Sequence, residues 1–343
     1  MLHKNIIKCH KWLLKNLKNV KSTQGPVIKN EIDEDTIRLA YKLILGRNAE
    51  SDNAVKAHLG IATMAQLRSH MMNSAEFKGL MLQSQFSSSS KWVAVDVLGC
   101  FTQWIDLHDS FVSQGCLNNN WEPSETNYFI SKLQTGGVVV DIGANIGWFS
   151  LVAAKHIGKS GIVHAFEPRP ETAKMLKRTI ANNALENIIN LSEFALSDAS
   201  GLLDLVWSKG TDNPGGSFVA GKGTNLKEFE SAKIKACRFD DVLPDVAPDI
   251  IKIDVEGAEA RVMKGMQNAL KRKHPPILSE LFPTQLLAVS GVTAAQYIDQ
   301  MKFYGYNCFL LENGLPTKKL RDFPVNHIGN LVSVVFEQNA SGR

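Results

Sequence analysis

Asp141, Gly143, Asn145 and Gly147 recur at every second position in "VVVDIGANIGWFS". They follow a run of β-branched residues and precede a helical pattern, so the acid stands where a strand gives way to a glycine turn. Turns of this kind usually cradle phosphates, and a carboxylate repels a phosphate. Asp141 therefore asks for a cation or a hydrogen-bond donor, while Gly143 and Gly147 permit a tight turn and close backbone approach. A second acid, Glu167, closes "IVHAFEP" 26 residues later. Three more, Asp254, Glu256 and Glu280, stand at the ends of "DIIKIDVEG" and "PPILSEL". Acids at successive strand ends do chemistry together only if the strands lie side by side and end at one edge.

The elements that achieve this are legible from residue 92 onward. Short β-branched runs alternate with helical stretches, which predicts βαβ units and a mainly parallel sheet. Ligands of such sheets bind beyond the carboxyl ends of the strands, where the strand order reverses. A nicotinamide or flavin enzyme would show G-x-G-x-x-G there, and this chain does not. One common cofactor carries a carboxylate, an ammonium and a sulfonium together, namely S-adenosylmethionine. Asp141 suits its amino group, the turn Gly143–Ala144–Asn145 with Gly147 and the helix start suit its carboxylate, and Glu167 suits both ribose hydroxyls. The next expected strand, "NLSEFALSD", ends in Ser197 and Asp198, which places these two near the adenine, although a turn-capping aspartate is an equally ordinary reading.

On the acceptor side, Lys252, Asp254 and Glu256 alternate and share one face in an extended chain. With Glu280 they crowd acids into one pocket, where burial and repulsion raise carboxylate pKa values. One of Asp254, Glu256 and Glu280 then serves as general base toward an alcohol, or two hold Mg²⁺. No residue type or spacing selects the metal, and no residue is assigned as its ligand. The structural alternative pairs Glu256 with Lys252 or uses it as a helix cap. Trp121 and Glu122 are further acceptor-pocket candidates, and Tyr128 is better suited to core packing. The glycine-rich stretch 209–225 is a candidate lid. His156 and His164 fall within a predicted helix and strand and read as structural, whereas His327 lies in a C-terminal loop.

Composition is that of a globular protein, 44% hydrophobic and 21% charged, and no apolar run reaches the ~18 residues of a membrane span. The net charge of +4 is uneven. Residues 1–30 hold seven of the 38 basic residues and no acid, leaving 31 basic against 34 acidic in the remainder. That balance argues against a nucleic-acid platform. The lysine-rich "MLHKNIIKCHKWLLKNLKNVK" is a basic amphipathic helix suited to peripheral contact with an anionic membrane or to a partner, or simply to a solvated terminus. Residues 31–83 read as a small helical module and 84–91 as a linker. The five cysteines have no C-x-x-C or zinc spacing, which fits a reducing compartment, and no secretory signal is evident, so the expected location is cytoplasmic.

Residues 117–285 resemble the FkbM family of S-adenosylmethionine-dependent methyltransferases. The resemblance is carried by "NNWEPSE", "VVVDIGANIGWFS", "VHAFEP", "FALSDASG", "RFDDVLPDVAPDIIKIDVEGAEARVMKGM" and "PPILSEL". In the first module, "YKLILGR" and "NSAEF" resemble a short helical module found beside glycosyltransferases and in bacterial surface-polysaccharide proteins, without its usual midway glycine and tryptophan. The family resemblance implies a Rossmann-like class I sheet of seven mostly parallel strands over 92–343. It also implies methyl transfer to an oxygen of a sugar, glycan or small metabolite. Two rivals remain from the residues alone: a dehydrogenase on the same sheet, and a glycan-binding or membrane-associated protein on a degenerate methyltransferase fold.

Overall fold

The computed structural model describes residues 32–74, 76–77, 91–109, 111–209, 216–221, 223–320 and 331–338. The basic amphipathic segment expected over 1–30, the linker at 84–91 except Lys91, residues 210–215 and 222 of the glycine-rich lid candidate and His327 lie outside the described residues. Among the described residues no helix is long and apolar enough to cross a membrane.

The chain divides into two compact units, Met1–Ser90 and Lys91–Arg343. In the first, Asp33 caps helix Glu34–Ala40 by accepting from the Thr36 amide at 2.8 Å. That helix widens into a π-type turn, Tyr41–Leu45, and stops at Gly46 in the left-handed region, φ +73°. Helices Asp52–Lys56 and Met64–Met72 are capped by Ser51 and Thr63. Ile37, Tyr41, Leu45, Val55, Leu67 and Met71 form its core. Arg47 clasps Glu76 at its rim and lies over Tyr41, its guanidinium 5.1 Å from the ring centre.

The second unit opens with an antiparallel hairpin, β1 (Trp92–Val97) and β2 (Phe101–Asp106). Its main sheet uses β3 (Val138–Ile142), β4 (Ile162–Phe166), β5 (Ile189–Ser192), β10 (Ile250–Ile253), β11 (Ile277–Leu281), β12 (Tyr306–Glu312), β13 (Leu315–Leu320) and β14 (Val332–Gln338). The spatial order is β13-β12-β14-β11-β10-β3-β4-β5, with β11 through β5 parallel and the three pairings from β11 out to β13 antiparallel. Seven of these strands make the expected Rossmann-like class I sheet, and β13 extends its edge. Helices on both faces account for the largely apolar strands: all four residues of β10 are buried, Lys252 among them.

A second sheet holds β6 (Ala195–Leu196), β7 (Gly201–Ser208), β8 (Phe218–Val219) and β9 (Phe229–Cys237) in the order β6-β9-β7-β8. The single strand expected for "NLSEFALSD" is therefore two strands in two sheets. The chain breaks at Glu193–Phe194, and Ala195 and Leu196 pair with Ala236 and Cys237 instead. Strand order runs from β3 outward to β4 on one side and to β10 on the other. The reversal lies between β3 and β10, beside the Asp141–Gly147 turn.

Candidate active site

The turn is shaped by what lies against it. Gly143 has φ +80°, and a Cβ there would sit 1.8 Å from the Asp254 carbonyl oxygen. Gly147 has φ +95°, and its Cβ would meet Leu176 at 2.4 Å. Gly143 excludes a side chain by conformation and by space, and Gly147 by conformation. The turn's amides are satisfied inside the protein: those of Gly143 and Ala144 donate to the Phe166 carbonyl, each at 3.0 Å, and that of Gly147 to Ala144 at 2.8 Å. These three amides are thus already bonded and differ from the expectation that they meet a ligand carboxylate.

Two clefts open on either side of this turn. The first, about 690 Å³, runs past Glu167, Arg169 and Thr172 and is walled by Phe194, Leu196, Leu205 and Val219. Glu167, at the end of β4, accepts from the Asn145 amide at 2.9 Å and the Arg169 amide at 2.8 Å. Burial pushes it up to about 7, against these two bonds. The Arg169 guanidinium lies 4.7 Å from the Trp207 ring centre, tying β7 to the cleft wall. A carboxylate at a strand end beside an apolar slot with aromatic edges fits a ribose and its base. The residues present therefore suit the adenosine half of S-adenosylmethionine.

The second cleft, about 770 Å³, contains Glu122, Lys252, Asp254, Glu256 and Glu280 among aromatic residues that include Trp121, Trp148 and Phe149. Register explains the convergence. Ile253 pairs with Ser279, so Asp254 and Glu280 sit one step further along adjacent parallel strands. Lys252 lies two residues below Asp254 on the same face, and its Nζ is 3.4 Å from Asp254 Oδ2 and 4.9 Å from the Phe149 ring centre. Glu122 arrives from a different element, the start of helix Pro123–Lys132. Its backbone is left-handed, φ +41°, and its Oε2 is buried with no hydrogen-bond partner. Thr126 Oγ1 holds the approach by donating to the Trp121 carbonyl at 2.9 Å and accepting from Trp148 Nε1 at 3.0 Å.

One oxygen from each of Glu122, Asp254 and Glu280 lies within 4.8 Å of the others, a spacing that would also admit a divalent cation. Burial first and neighbouring acids second push Glu122 up to about 7, Glu256 up to about 8 and Glu280 well above the carboxylate range. Burial alone would depress the Lys252 ammonium, but Asp254, Glu122 and Glu280 outweigh it and hold it above the lysine range. Glu256, with φ +51°, lines both clefts, as do Gly143, Asn145 and Asp254. Glu259 locks this turn from behind, accepting from the amides of Gly257 at 3.2 Å and Val255 at 3.3 Å.

Three expected site residues, Asp141, Ser197 and Asp198, line neither cleft. Asp141 is 1% exposed and accepts from Ser150 Oγ at 2.6 Å, beneath the acid cluster and level with Lys252 in the sheet. It shares the face of Lys252 but sits one step deeper than the strand ends, with Ser150 against its carboxylate, and burial raises it to about 6. Asp198 faces Arg261 at 3.3 Å and Lys264 at 3.4 Å, and Ser197 is buried, so neither lines the adenosine cleft. The break after β5 is the cause, since it hands that wall to Phe194, Ala195 and Leu196. Glu122 appeared in the sequence only as a pocket candidate. Its left-handed position before Pro123 carries no pattern that marks it as a partner of Asp254.

Residues 141–308 match the family model described as the methyltransferase FkbM domain. Among curated proteins the chain is similar to methyltransferase sdnD of Sordaria araneosa, 32% identical over 168 residues, covering 40% of this chain and 64% of that protein. It is similar to the hexuronic acid methyltransferase AglP of Haloferax volcanii, 31% identical, covering 41% of this chain and 55% of the other. It is also similar to the 31-O-demethyl-FK506 methyltransferase FkbM of Streptomyces tacrolimicus, 28% identical, covering 40% and 62%. The chain thus spans between 55% and 64% of the length of these relatives.

Proposed function

We propose that the protein, whose residues 141–308 match the methyltransferase FkbM domain, is an S-adenosylmethionine-dependent methyltransferase acting on a hydroxyl oxygen of a glycan or small metabolite. The observation that carries this reading is the pair of clefts that meet at Gly143, Asn145, Asp254 and Glu256. One is suited to an adenosine, and the other presents a base to an acceptor. The names of two relatives, one for a hexuronic acid and one for an O-demethyl compound, support an oxygen acceptor.

S-adenosylmethionine supplies an activated methyl group on a positively charged sulfur. Glu167 holds the ribose end in this reading, and the Phe194–Leu196 wall with Leu205 and Val219 encloses the base. Trp121, Trp148 and Phe149 offer faces for a sugar or other flat acceptor and exclude water around it. Little covalent help is needed, so the chain's work is alignment and removal of one proton. Glu122, Asp254 and Glu280 are within reach of one another, and Glu122, raised to about 7, is matched to take a proton near neutrality. Lys252 keeps the cluster from repelling itself apart.

The test is thermal unfolding of the full chain with S-adenosylmethionine, S-adenosylhomocysteine and NAD in parallel. A ligand at 100 times its Kd adds about 2.7 kcal/mol of stability. Stabilisation by the two adenosyl sulfur compounds alone is expected, and acceptor screening with isotopically labelled methyl follows. Stabilisation by NAD alone would overturn the proposal in favour of the dehydrogenase rival.

A further inference from the structure

The second cleft carries more negative charge than proton removal requires. Among the described residues that line it, Lys252 is the lone cation, against the carboxylates of Glu122, Asp254, Glu256 and Glu280. Lys252 is engaged by Asp254 at 3.4 Å. The other three acids have no basic partner of their own in the cleft, and Glu122 Oε2 is buried without a hydrogen bond. A protein that only needed a base would not gather four carboxylates around one ammonium, because each addition costs repulsion and desolvation. Such a cluster is stabilised by a cation that arrives with the ligand.

Resting on the methyl-transfer reading above, we propose that these carboxylates make the site select the positively charged methyl donor over its neutral product. S-adenosylmethionine then binds more tightly than S-adenosylhomocysteine, and loss of charge on reaction drives product release. The geometry requires the charge to be felt there. A methyl group can pass from the first cleft to the second only across the rim they share, and Asp254 and Glu256 are part of that rim. When the methyl carbon leaves sulfur for an acceptor oxygen, the sulfur keeps the bonding electron pair and becomes neutral. The hydroxyl proton passes to a carboxylate of the cluster. Both changes remove the charge pairing that held the donor, so the product faces the same acids without the attraction.

The groups that set the response come from several elements. Glu122 faces Lys252 and Asp254, Asp141 on β3, and Glu125 of its own helix. Glu280 on β11 faces Asp254, Lys252, Glu122 and Glu256. Glu256 faces Asp254, Glu259 and Lys252. Crowding keeps part of this cluster protonated near neutrality, and an incoming cation favours the ionised forms. Donor binding therefore releases protons and strengthens as pH rises from 6 to 8.5, whereas product binding changes little.

The experiment is isothermal titration of the full chain with three ligands: S-adenosylmethionine, S-adenosylhomocysteine, and sinefungin, in which a protonated amine stands in place of the sulfonium. At pH 8 the two cationic ligands should bind at least about tenfold more tightly than the neutral one, the scale of one uncompensated carboxylate in a half-buried site. In Glu122→Gln/Glu280→Gln the preference should shrink below about threefold, with affinity for S-adenosylhomocysteine held within about twofold. Equal or tighter binding of S-adenosylhomocysteine by the unaltered chain overturns the proposal, as does a preference that survives in the folded double variant. Should that variant not fold, the unaltered chain decides: a donor preference that does not fall between pH 8.5 and 6 overturns it equally. Binding of none of the three ligands is a different result, since it removes the methyltransferase reading on which this one rests.

Discussion

Glu167 and Glu122 flank the same glycine turn, yet they are held in opposite ways. Glu167 has a backbone amide on each carboxylate oxygen, from Arg169 and Asn145. Glu122 has an oxygen with no partner and a left-handed backbone. Both are raised to about 7, chiefly by burial. In the first cleft the protein satisfies its own acid, so that wall is complete before any ligand arrives. In the second cleft four acids confront one another around the single ammonium of Lys252, which pairs with Asp254. A pre-formed side suits a cofactor that always has the same shape, and a frustrated side suits the place where charge changes during reaction.

The comparison breaks most completely at the turn the two clefts share. Gly143→Ala puts a methyl group into the Asp254 carbonyl at a left-handed position. It should cost on the order of 3 kcal/mol or more in denaturant unfolding and abolish binding in both clefts. Unchanged stability would mean that the approach of the β3 and β10 ends is not as close as described.

Glu167→Ala should act on the first cleft alone. It strips the acceptor from two amides, at about 1–3 kcal/mol each, and should weaken S-adenosylhomocysteine roughly a hundredfold by titration calorimetry. Retained affinity would separate this acid from the ribose.

A smaller effect distinguishes the second cleft by its pH response. Glu122, Glu167, Glu256, Glu259 and Glu280 are all raised above the ordinary carboxylate range. A carboxyl whose folded pKa is raised binds more protons folded than unfolded, so stability is lost as pH climbs from the unfolded value through the folded one. The ligand-free chain should therefore melt roughly 5 °C lower at pH 8 than at pH 5.5. Glu256→Gln, which removes the group raised to about 8, should flatten the upper part of that slope. A melting temperature that rises over this window would contradict the crowding.

Least should follow from Asp198→Ala. The residue sits in a partly exposed pairing with Arg261 and Lys264. A change within about 1 kcal/mol is expected, with no loss of cofactor affinity beyond about twofold. A large loss of binding would restore Asp198 to the adenine side.

Much of this was legible in the chain. The strands whose ends lie at or next to Asp141, Glu167, Asp254 and Glu280 show as apolar runs halted near an acid or a glycine, and the parallel sheet follows from their alternation with helices. The break inside "NLSEFALSD" was not legible, because both halves have strand character and only pairing with β9 separates them. The depth of Asp141 was not legible either: it stands beside Lys252 on the same face but below the strand ends, a level set by the pairing of β3 with β10.

The sequence by itself determined the glycine turn, the strand ends and the presence of acids there. These depend on short-range sterics and on hydrophobic runs, which neighbours in the chain dictate. Only the tertiary structure decided which acids meet. Lys252 and Asp141 become neighbours because β10 pairs with β3, and Glu280 joins Asp254 because β11 takes the next place in the sheet. Glu122 completes the cluster from a helix start outside the matched domain. Strand order and loop course follow from burying whole faces against one another, a balance summed over the entire unit and not written in any one segment.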